Sequence, residues 1–115
     1  MPLLKNIDSE KVLSLASLVS AEPGQIVSKT LAQNRAVSVT LFAFAAGEEI
    51  GTHESTGDAM ATVLEGTGQF TIAGQVFRCK AGDSIVMPAG KPHAVFAPEN
   101  FKMLLTVVFP LEEKG

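Results

Sequence analysis

The sequence predicts an all-β domain, a sandwich or small jelly-roll barrel of short strands behind a short N-terminal helix. Three observations lead there. From residue 25 onward, short runs rich in Val, Ile, Phe and Thr are punctuated by Gly, Pro and Asn. Helical spacing occurs in one stretch only, before residue 24. Hydrophobic residues make up 46% of the chain and charged residues 18%, so the sequence can build a core rather than stay disordered.

The helical stretch comes first. Asp8 or Ser9 offers a cap, Glu10 suits the first turn, and Val12, Leu15, Ala16 and Val19 repeat at helical spacing. Glu22-Pro23-Gly24 ends it. Residues 1–24 are therefore expected to form a helical segment, 25–110 a barrel, and 111–115 a charged tail that frays.

Gln25 to Leu31 reads as the first strand, closed by Gln33-Asn34. Ala36 to Ala45 is the strongest. Val37, Val39 and Leu41 fall on one face and Ser38 and Thr40 on the other, and the break at Phe42 and Phe44 predicts burial on both sides. Gly47 to Gly51 reads as a turn, and Ala59 to Leu64 as the next strand. Phe70-Thr71-Ile72, Ala73-Gly74 and Gln75-Val76-Phe77 form a hairpin pattern. Ser84 to Met87, His93 to Ala97 and Phe101 to Phe109 complete a set of about eight strands, which suits a sandwich or jelly roll.

Composition narrows the function. At 115 residues the chain holds one domain, large enough to fold without disulfides or a structural metal. Its net charge is −3 and no two basic residues are adjacent, which argues against a nucleic-acid partner. No apolar run reaches the length of a membrane span, so no membrane partner is expected. Cys79 is the only cysteine; it admits no intramolecular disulfide or CxxC motif, suits a reducing cytoplasm, and reads as an isolated buried thiol. Met60, Met87 and Met103 read as core fillers that also suit the lining of a pocket.

Two segments carry a family resemblance. One runs from Gly47 to His53 and on to Val63-Leu64-Glu65-Gly66; the other is Gly82-Asp83 followed by Pro88-Ala89-Gly90-Lys91-Pro92-His93. Their order and spacing resemble the paired motifs of the cupin superfamily, over roughly residues 25 to 110. The resemblance implies a double-stranded β-helix, in which Pro88, Gly90 and Pro92 turn the chain and His93 opens a strand with its ring inside.

The resemblance also implies a pocket and shows where this chain departs from the family. Metal-binding cupins present two histidines two residues apart, a carboxylate or amide, and a third histidine. Here His53 takes the first place and His93 the last, while Ser55 stands for the second histidine and Ala59 for the carboxylate. The asparagine that often follows the second motif is replaced by Ala97.

Two function classes follow. In one, the chain is a binding protein that holds a small polar or anionic molecule between His53, Ser55 and His93. In the other, it is a metal-dependent isomerase or oxygenase. A divalent transition metal (zinc, iron, nickel or manganese) would then sit on His53 and His93, with Glu54 or Asp58 as the third ligand. Strand parity turns Glu54 and Asp58 outward if His53 and Ala59 face inward, unless Glu54 to Asp58 is a loop. The resemblance further implies a homodimer, with the Phe42 and Phe44 face and the strand Gln25 to Leu31 at its interface.

Overall fold

The computed structural model describes residues 3–111. The tail beyond Leu111, expected to fray, lies outside them. Among the described residues nine strands follow one 3-10 turn: β1 Ile26–Gln33, β2 Val37–Phe44, β3 Glu49–His53, β4 Asp58–Glu65, β5 Thr67–Ile72, β6 Gln75–Lys80, β7 Ser84–Met87, β8 His93–Phe96 and β9 Phe101–Val108. They form two antiparallel sheets, one ordered β1-β2-β9-β4-β7 and the other β3-β8-β5-β6.

Burial follows the pleat. β4 alternates strictly, with Ala59, Ala61 and Val63 buried and Asp58 and Met60 exposed. β2 is apolar on both faces for two different reasons. Phe44 faces the core between the sheets and stacks on Phe101 at 4.7 Å between ring centroids. Leu41 and Ala43 face outward into a second cluster with Leu15, Leu18 and Val19. The double burial predicted for β2 is therefore correct, and Phe44 is a core residue unavailable to a dimer interface. Phe42 also turns inward, where it is partly buried and lines a cavity.

The N-terminal segment departs from expectation. In place of a helix from Asp8 to Val19 there is only the 3-10 turn Leu15–Leu18. Glu10 has φ +57°, outside the helical region, and Val12 is fully exposed. A helix this short has little stability of its own. An irregular path instead lays Leu15, Leu18 and Val19 on the outer face of β1 and β2, and Lys102 on β9 clasps the turn by donating to the Ala16 carbonyl at 2.7 Å. Coverage stops there, and Met60, Val86 and Val108 remain exposed.

The turns match their residues. Ala73 and Gly74, at φ +48° and +83°, make the two-residue turn between β5 and β6. Gly66 is required by both conformation and space. Its φ is +73°, and a Cβ there would collide with the Asn100 carbonyl oxygen.

β3 was not expected. The sequence predicts a turn over Gly47 to Gly51, which covers only the first three residues of this strand; four of its five residues are exposed. It is an edge strand held by β8 on one side only.

Candidate functional site

β3 and β8 bring the two histidines together. His53 and His93 are register partners across the antiparallel pair, and their ring centroids lie 4.3 Å apart in an edge-to-face arrangement. His93 is 3% exposed, whereas His53 lies at the exposed rim.

A bulge makes this pairing possible. Between Ile50 and His53 the register slips, so that Ile50 opposes Val95 and His53 opposes His93. The extra residue on β3 lets Ile50 and His53 line the same side despite their odd spacing.

Each ring is oriented in the same way. His53 Nδ1 lies 2.9 Å from the Gly51 carbonyl oxygen, and His93 Nδ1 lies 3.0 Å from the Lys91 carbonyl oxygen. A carbonyl can only accept, so Nδ1 carries the hydrogen in both rings and donates it. In the neutral ring Nε2 then has a free lone pair. No described side-chain nitrogen or oxygen is buried without a partner, so the Nε2 of buried His93 must be reachable from the cavity.

That cavity measures about 280 Å³. Phe42, Ile50, Met87, Val95, Met103, Leu105 and Val107 form apolar walls, and Ala59 leaves space where a larger side chain would fill it. The polar side chains His53, Glu54, Ser55 and His93 complete the lining. Met87 and Met103 line it as expected, whereas Met60 points to the exposed outer face.

The remaining candidates separate. Residues 54–57 are a loop, so parity does not govern them, and Glu54 reaches the cavity rim. Ser55 also lines the cavity; its Oγ accepts from the Gly57 amide at 3.2 Å and its carbonyl from the Gly90 amide at 2.9 Å. Asp58 faces away. Its Oδ1 accepts from the Ala89 amide at 2.8 Å, which ties β4 to the turn Pro88–Lys91 that precedes His93. Asp58 is thus a brace rather than a ligand. Sequence reasoning missed this because the partner lies 31 positions away.

The donor set does not suit a catalytic metal. Such sites use three protein ligands and an open position. Among the described residues no group of three His, Cys, Asp or Glu side chains is placed to hold an ion. Ser55 and Ala59 stand where two further ligands would be, and Asp58 is engaged elsewhere. Of the two carboxylates expected near the histidines, Glu54 reaches the cavity rim and Asp58 is held by the Ala89 amide.

Cys79 takes no part. It is buried on β6 opposite Gly68, and burial first, then the negative charge of Asp83, pushes its thiol up from the ordinary value. A second, more open cavity of about 670 Å³ lies near Arg35 and Phe109 and includes neither histidine.

Comparison with known proteins agrees with this architecture. The family model for the cupin domain matches residues 40–109. A conserved Streptococcus pyogenes protein of unknown function is similar at 44% identity and a TM-score of 0.93, with 97% of this chain and 98% of that one covered. A cupin superfamily protein from Desulfitobacterium hafniense is 36% identical with a TM-score of 0.89, covering 93% and 98%. A Cupin 2 conserved barrel domain protein from Leptotrichia buccalis is 43% identical with a TM-score of 0.82, covering 84% of this chain and 47% of that protein. No curated protein matches the chain. The family model spans both motif segments from β2 to the end of β9, and the barrel they build is the family's barrel: the chain belongs to the cupin superfamily.

Proposed function

We propose that this cupin binds one compact small molecule in the cavity beneath His53 and His93. The observation that carries the reading is the division of the lining. Apolar walls make up most of it, and the polar side chains come from two places that the β3–β8 pairing joins. Small-molecule sites have this character, with apolar surface for affinity and a few placed polar groups for orientation. At about 280 Å³ the space is near the small end for such sites. It holds roughly nine water-sized groups of about 30 Å³ each.

A metal-dependent enzyme is the less supported reading, because the structure brings two histidines together without a third suitable ligand.

The test is a small-molecule screen by thermal shift, followed by methyl NMR of Met87 and Met103. A ligand of this cavity stabilises the fold by about 2.7 kcal/mol at a hundredfold excess over Kd. It also moves both methionine methyl signals but not that of exposed Met60. Hits that move only Met60, or whose binding survives His53→Leu and Ser55→Ala unchanged, would remove the reading.

A further inference from the structure

We infer that the ligand's polar head is a hydrogen-bond donor, a hydroxyl or an ammonium, and not a carboxylate or phosphate. The inference rests on the reading of the cavity as a small-molecule site and follows from the chemistry of its polar side chains. Both Nδ1 atoms are committed as donors to the carbonyls of Gly51 and Lys91. Each neutral ring can therefore offer its remaining nitrogen only as an acceptor. Glu54 adds a carboxylate, which when ionised also only accepts. The one side-chain donor in the lining is the Ser55 hydroxyl, and no Lys or Arg lines the cavity.

An anionic head would meet two lone pairs and a negative charge with one hydroxyl to offset them. A buried polar group left without a partner is disfavoured, and a buried charge more so. A hydroxyl or ammonium head meets complementary acceptors, and an ammonium also gains from Glu54. The apolar walls then receive the body of the molecule.

The experiment uses four probes of one branched five-carbon skeleton: isoamyl alcohol, isoamylamine, isovalerate and headless isopentane. Binding to the full chain is followed through the methyl signals of Met87 and Met103, in mildly alkaline buffer where imidazole is uncharged. The alcohol and the amine are expected to bind at least about tenfold more tightly than isovalerate. His53→Leu, at the exposed member of the pair, should narrow that ratio to about threefold or less. Glu54→Gln, which removes the charge but keeps an acceptor oxygen, should weaken the amine more than the alcohol. If isovalerate binds as tightly as the alcohol and amine, or isopentane binds as well as both, the cavity reading stands and the donor-head inference falls. If no probe, isopentane included, moves either methyl signal, the cavity reading falls and takes this inference with it.

Discussion

Ile50 and His53 stand three residues apart on one strand, yet their side chains line the same cavity. On a regular strand an odd separation sends two side chains to opposite faces. The bulge in β3 absorbs the mismatch and turns His53 towards His93.

Deleting Thr52 should therefore restore regular parity and swing His53 away from His93. The variant should stay folded, because β3 is an exposed edge strand whose loss of alignment leaves the core intact. Ring-to-ring NOEs between the two histidines, present in the parent protein, should vanish. Their persistence would show that the bulge does not aim His53.

The tautomers can be observed directly. Nitrogen NMR of the neutral protein should show hydrogen on Nδ1 and a bare Nε2 in both rings, set by the Gly51 and Lys91 carbonyls. A protonated Nε2 in either neutral ring would contradict the orientation on which the site's chemistry rests.

Asp58 should matter to stability and Glu54 should not. Asp58→Ala removes the acceptor for the Ala89 amide and should lower stability by about 1 to 2 kcal/mol, measured by urea unfolding. Glu54 is exposed, and Glu54→Ala should change stability by less than about 0.5 kcal/mol. Equal effects would remove the distinction between brace and rim.

Ala59 is the position where a larger side chain would both fill the cavity and add a ligand. Ala59→Glu supplies a third donor beside His53 and His93 and should confer binding of zinc or manganese, seen as a rise in melting temperature on titration. Without metal, the variant should be destabilised by the buried carboxyl. The parent chain should show a much smaller rise, and an equal rise in both proteins would mean that the parent already holds a metal site.

Cys79 should make stability fall at alkaline pH. Its thiol is held above the ordinary value in the fold, so the folded state retains a proton that the unfolded chain releases. The contribution is complete below the unfolded thiol's titration and is lost as pH rises through the folded one. Cys79→Ala should flatten this alkaline decline, and alkylation of Cys79 in the parent should require unfolding. Rapid alkylation in the native protein would refute its burial.

Much of the fold was legible in advance because it is written in local patterns. Alternation along β4, the Ala73-Gly74 turn and the glycine and proline spacing before His93 each report which face is buried or where the chain reverses. The same cues led to one cavity shared by His53 and His93. β3 escaped because an exposed edge strand carries no buried face, and alternation records burial rather than hydrogen bonding. The N-terminal segment misled for the converse reason. Its apolar residues are buried on a sheet, not along a helix, and periodicity alone does not name the surface they meet.

By itself, then, the sequence determined the all-β class, the positions of most turns and the identity of the two rings that share a site. Only the tertiary structure decided that a bulge turns His53 inward, that Glu54 reaches the cavity while Asp58 braces the turn before His93, and that both rings commit Nδ1 to a backbone carbonyl. These depend on hydrogen bonds and register between strands that are far apart in the chain. Such pairings are settled by the packing of whole sheets, and no local run of residues encodes them.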